Sequence, residues 1–169
     1  MESLISAHKT EPCPECGAPV AGGRAGCQAL YDGIAAPGSG ALGLSARRDL
    51  AFDAYCMQHP DTYCRSAKSY AAHLTRLCCG LEYGGDPQVY RAIQRWLNGA
   101  VPLQKPAVLT ARGRMTVADL EAADSPEEME QLVQAWAKNV WEAYASQQEL
   151  ARDWIQAALS SGRTAQRAK

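Results

Sequence analysis

The residues best suited to chemistry are three thiols in the stretch EPCPECGAPVAGGRAGC, residues 11–27. Cys13 and Cys16 form a Cys-x-x-Cys knuckle. A tight turn of that kind aims both sulfurs at one point, and its free amides soften their charge, so two thiolates can share one cation. Gly17 follows, where a left-handed turn residue is useful. Cys27 is expected to start a helix, whose amide dipoles favour a thiolate. Tetrahedral zinc then needs a fourth ligand, and the candidates are His59, His73, Cys64 and His8. His59 is favoured because it stands before Pro60 at a helix end and can project past the terminus. A redox Cys-x-x-Cys calls for a βαβ pattern, which does not follow here, and three inert loop thiols are the bland reading. Four protein ligands would make a closed, structural site; three and a water would make an open one suited to catalysis.

A second constellation pairs a carboxylate with an imidazole. Asp53 shares a helix stripe with Leu50, Ala54 and Met57, and His73 lies at the edge of a stripe of Tyr70, Leu74, Leu77 and Leu81. If the two helices form an antiparallel hairpin around HPDTYC, both residues stand about 11 Å from the turn and come level. An ion pair or hydrogen bond between them explains how a carboxylate tolerates a core-facing position. The plain reading is a core aspartate that fixes hairpin register. The sharper one makes His73 a metal ligand or proton carrier whose tautomer Asp53 holds. Cys56, Cys78 and Cys79 sit among apolar neighbours as small core residues, and the four tryptophans follow helical spacing. Arg47, Arg48, Arg112 and Arg114 can serve an anion or simply a solvated surface. Phosphate loops, nucleophile elbows and His-Glu-x-x-His motifs are absent from the sequence.

The elements that must position these groups read as helices, because apolar residues recur at steps of three and four. A short helix is expected near Cys27; a second from Ser45, its N-cap, to His59; a third over Ser66 to Tyr83, ended by Gly84-Gly85. A fourth opens on Asp86-Pro87 and closes at Asn98-Gly99. The last opens on the capping box SPEE, Ser125 to Glu128, and carries a heptad stripe of Met129, Val133, Trp136, Val140, Ala143, Gln147, Leu150, Trp154 and Ala157 facing a partner. From Pro126 to Leu159 it would run about 50 Å, so a bend is expected at Asn139 or Ser146-Gln147. Residues 11–26, 35–44 and 99–114 read as irregular.

Length fits one domain over 1–169, with a knuckle segment at 13–27, helices two to four at 45–98 and a C-terminal helical part at 115–160. A 47% hydrophobic share covers a core, and a net charge of -1 supplies no field toward nucleic acid or anionic lipid. The start lacks a secretory signal and no apolar run could span a bilayer, so a cytoplasmic protein is expected. Seven cysteines without an export signal point to metal binding or burial over disulfides.

At CPECGAP, GCQALYDGI, FDAYCMQHP, AAHLTRLCCGLEYG and VQAWAKNVWEAY, over residues 13–154, the chain resembles an uncharacterised, mostly bacterial domain-of-unknown-function family. The resemblance implies a pattern of Cys-x-x-Cys, a later Cys, Asp-x-Tyr-x-x-Gln-His-Pro and His-Leu, and no activity. The family pattern has histidines where this chain has Arg48, Gln147 and Gln148, which with His73 would suit a polar or metal centre inside a bundle. Part of such a centre would be lost here.

The expectation is an all-α bundle of about four to six helices, closed at one end by a zinc knuckle of Cys13, Cys16, Cys27 and His59. Its expected function is a non-catalytic binding or adaptor module with structural zinc. The alternative is a metal-dependent enzyme acting on a small substrate through His73 and Asp53, with Tyr55 or His59 assisting. The partner would be a protein or small molecule rather than nucleic acid or membrane, and the last helix makes a homodimer feasible.

Overall fold

The computed structural model describes residues 11–36 and 47–167. The expected cap Ser45 and the candidate ligand His8 lie outside those residues. Among the described residues the chain is all-α, without a strand. Its helices are α1 (Gly23–Ala35), α2 (Arg48–Gln58), α3 (Pro60–Tyr63), α4 (Ala67–Glu82), α5 (Pro87–Asn98), α6 (Pro126–Ala143) and α7 (Gln148–Arg167). The elements beyond the five helices expected are the single turn α3, a 3-10 helix over Val117–Ala122, and the division of the last helix in two.

Local chemistry sets most boundaries. Ser66 accepts from the Ser69 amide to open α4, and Asp86 accepts from the Gln88 amide ahead of Pro87 to open α5. Ser125 accepts from the Glu128 amide at 3.2 Å. The Glu128 carboxylate reaches one residue further back than a capping box requires, accepting from the Asp124 amide at 2.8 Å.

α1 begins four residues before Cys27, against expectation. Gly22 and Gly23 take left-handed φ values of 85° and 56° and swing the chain into the helix. The first turn then needs Gly26, because a Cβ there would lie 1.8 Å from the Ala21 carbonyl oxygen.

α2 is the central element, buried from Leu50 to Gln58 except at Phe52. It packs between α4 and α6, while α7 covers α4 and α5. Trp136, Tyr55, Tyr70, Tyr144, Met57 and Leu74 fill the interior. The bend in the C-terminal part falls at the second of the two expected places, where a 3-10 turn over Ala145–Gln147 separates α6 from α7. Asn139 stays inside α6, and its amide oxygen accepts from the Arg114 and Met115 amides at 2.7 and 2.9 Å. The heptad stripe holds as far as Val140, but beyond the break α7 buries Ala151, Ile155 and Ala158 instead of Leu150, Trp154 and Ala157. The tighter 3-10 winding and the change of partner from α2 to α4 and α5 give α7 a different inward face.

Candidate metal centre

Cys13, Cys16, Cys27 and His59 converge at the end of α2, and their ligand atoms all lie within 4.8 Å of one another. His59 Nε2 stands 3.5 Å from Cys13 Sγ and 3.4 Å from Cys27 Sγ, and the Cys16 and Cys27 sulfurs are 3.7 Å apart. A tetrahedral zinc, with bonds of about 2.3 Å to sulfur and about 2.0 Å to nitrogen, spaces its ligand atoms about 3.5–3.8 Å apart. Three of the separations are already of that size, and the donor set could hold a metal ion.

Each ligand is placed by ordinary backbone physics. The knuckle closes on itself through Cys13 N–H to the Ala18 carbonyl at 2.9 Å and Gly17 N–H to the Cys13 carbonyl at 2.8 Å, with Gly17 at φ 78°. Cys27 lies in the second turn of α1, facing inward and fully buried. His59 caps α2 because Pro60 cannot continue it, and its amide returns to the Tyr55 and Cys56 carbonyls. Its Nδ1 lies 2.7 Å from the Tyr55 carbonyl, which can only accept. The proton therefore sits on Nδ1, and Nε2 turns its lone pair to the sulfurs, as a metal-binding imidazole must.

The thiols are electrostatically unequal. The contact with Cys16 holds the Cys27 thiol well below its ordinary range, helped by the Tyr55 hydroxyl and opposed by burial. The same contact, together with burial, pushes Cys16 far up. The two sulfurs are 3.7 Å apart, and a cation bound between them would take the place of the proton they share.

Neighbouring side chains brace this arrangement. Tyr55 stacks on Tyr31 at 4.2 Å and lies 4.0 Å from the His59 ring, and its hydroxyl donates to Cys27 Sγ at 3.7 Å. Arg24 donates to that hydroxyl at 3.1 Å and pairs with Glu15 at 3.0 Å. Glu15, inside the knuckle, also accepts from the Asp61 amide and the Thr62 hydroxyl of α3. Arg112 donates to the Glu15 carbonyl at 2.7 Å, so it clamps the knuckle.

The other fourth-ligand candidates lie elsewhere. Cys64 Sγ donates to the Cys56 carbonyl within the core. His73 Nδ1 is 2.9 Å from Asp53 Oδ1, so the structure brings that pair together away from the thiols. Arg76 joins it, its Nε 3.2 and 3.1 Å from the two Asp53 oxygens. Asp53 is 0% exposed; burial pushes its carboxyl up, while His73 and Arg76 pull it down. The Arg48, Gln147 and Gln148 positions do not gather around His73. Arg48 lines an exposed cleft, Gln147 bonds Tyr70 and the Ala107 carbonyl, and Gln148 bonds the Trp141 carbonyl and Arg152.

Sequence reasoning missed Arg76, Glu15 and Arg24, and it named Arg112 without its place on the knuckle. Arg76 was findable, since it follows His73 by one helical turn on the same face. The other three bond to groups that no spacing rule identifies.

Fold and site together define an all-α protein with a Cys3His cluster able to hold a metal ion. The chain belongs to a family of unknown function (DUF5946), whose family model matches residues 11–145. No curated protein and no solved structure matches it.

Proposed function

We propose that the protein is a zinc-binding helical module in which Cys13, Cys16, Cys27 and His59 hold one structural zinc, and that it serves as a non-catalytic binding or adaptor domain. The observation that carries this reading is the donor set: three thiols and one imidazole whose ligand atoms all lie within 4.8 Å of one another, enough to fill the four positions of a tetrahedral zinc. Thiolates with one imidazole are soft donors that suit zinc better than magnesium or calcium. When bound, zinc would supply cross-linking rather than Lewis acidity. It would join the knuckle and α1 to the end of α2, adding its binding free energy to folding.

The test is elemental analysis of protein purified without added metal. One zinc per chain is expected, lost in Cys16→Ser and kept in Cys64→Ser and His73→Gln. Metal-free, equally well folded native protein would refute the proposal.

A second reading, a metal-dependent enzyme working through His73 and Asp53, draws support from the 2.9 Å bond between them. Against it, Asp53 is also gripped by Arg76, the pattern of a lock on helix register. His73→Gln separates the two. The enzyme reading expects a lost turnover with an unchanged melt, whereas the lock expects a lower melt.

A further inference from the structure

The seven cysteines differ sharply in what solvent can reach. Cys27, Cys56, Cys64, Cys78 and Cys79 are 0% exposed and Cys13 is 1% exposed. Cys16 alone is part-exposed, and the sulfur 3.7 Å behind it belongs to a fellow member of the cluster, Cys27. An oxidant arriving from solvent therefore meets Cys16 first.

We infer that the metal centre is a peroxide-sensitive site, in which Cys16 and Cys27 close into a disulfide and release the cation. The inference rests on the zinc reading above. As a ligand of the bound cation Cys16 is a thiolate, and it attacks one oxygen of hydrogen peroxide; the O–O bond breaks, and the departing oxygen takes a proton and leaves as water. Cys16 is then a sulfenic acid. The Cys27 thiolate attacks its sulfur, the S–O bond breaks, and the oxygen leaves with a second proton as another water. Two thiolates, one peroxide and two protons give one disulfide and two waters. Sulfur loses two electrons and peroxide gains them.

The sulfurs must close from 3.7 Å to about 2.05 Å. Cys27 is fixed within α1, so the movement falls on Cys16 in the knuckle turn, where Gly17 follows it in the left-handed region. Because the thiolate is the metal ligand, disulfide formation removes two of the four donors, and Cys13 with His59 makes too small a set to retain zinc.

The test uses the full chain, with zinc content measured first. Hydrogen peroxide is added at about a tenfold molar excess beside a chromogenic zinc chelator, and the disulfides are mapped by peptide mass spectrometry. The expected result is one zinc released per disulfide, a 16–27 linkage, and rebinding of zinc after reduction with dithiothreitol. Retained zinc, a 13–16 linkage, or release without any disulfide overturns the inference and leaves the zinc reading standing. A chain that holds no zinc before peroxide is added overturns the zinc reading, and this inference falls with it.

Discussion

Replacing Asp53 with alanine tests the polar lock between α2 and α4. The carboxylate is fully buried and accepts from His73 at 2.9 Å and from Arg76 at 3.1 and 3.2 Å. Hydrogen bonds to a charged group contribute about 1.5–3 kcal/mol each, and breaking a wholly buried ion pair costs about 3–5 kcal/mol. Two terms reduce that cost here. The side chains of His73 and Arg76 are 15% and 27% exposed, so the orphaned donors can turn to water, and removing the carboxylate also recovers its burial cost. The expected net loss is about 2–3 kcal/mol, a fall in Tm of roughly 4–12 °C for a chain of this size. Asp49→Ala is the matched control. It too faces Arg76, at 3.6 Å, but its side chain is 72% exposed, so its loss should stay below about 0.5 kcal/mol. Thermal and urea melts at neutral pH, at matched metal content, decide the matter. An Asp53→Ala melt within about 1 °C of the parent, or no different from that of Asp49→Ala, refutes the lock.

Three further substitutions test other parts of the fold. The Glu82 carboxyl is held below its ordinary value of 4.5, first by its hydrogen bond with Arg152 and also by Trp141, against burial. A carboxyl lowered on folding contributes stability that is complete above 4.5 and fades as pH falls through its folded value, so Glu82→Gln should flatten the acid limb of a plot of stability against pH. An unchanged acid limb refutes the assignment. Gly26→Ala should cost on the order of 3 kcal/mol and weaken metal retention, because the new Cβ meets backbone at 1.8 Å. Gly33→Ala in the same helix meets nothing within 4 Å, and its melt should stay level or rise by about 0.5–1 kcal/mol.

The parts of this structure that could be read from the residues are those governed by local chemistry. The starts of α4, α5 and α6 were legible because Ser66, Asp86-Pro87 and Ser125-Pro126 act on amides two or three residues away. The convergence of His59 with the three thiols was legible because a histidine before a helix-stopping proline points beyond the helix end. What escaped is non-local or depends on backbone sign. The start of α1 turns on two left-handed glycines that look like ordinary loop residues. The inward face of α7 depends on three residues of 3-10 winding, which a heptad pattern drawn straight through cannot register. Part of the bracing of the cluster runs through the carbonyls of Glu15 and Tyr55, which any residue type would offer.

The end of α2 carries two ties at consecutive residues, and they should fail separately. Gln58 faces the body: its amide nitrogen donates to the Met115 and Arg112 carbonyls at 2.7 and 3.0 Å, and its oxygen accepts from Trp136 at 2.9 Å. Next to it the Met57 carbonyl accepts from Tyr144 at 2.6 Å. His59 faces the thiols. Removing a bound metal with a chelator cancels only the second tie, and the bundle of α2, α4, α5, α6 and α7 keeps its own apolar interior. Glu15, Arg24 and Arg112 then hold the knuckle by hydrogen bonds that contribute about 0.5–3 kcal/mol each, far less than the roughly 10–16 kcal/mol of a structural zinc site. Hydrogen exchange after chelation should therefore quicken in the knuckle and α1 while the amides of α4 and α6 keep their protection. Uniform loss of protection across all helices would mean instead that the metal holds the whole fold, and that the packing around Trp136 and Met57 cannot sustain it alone.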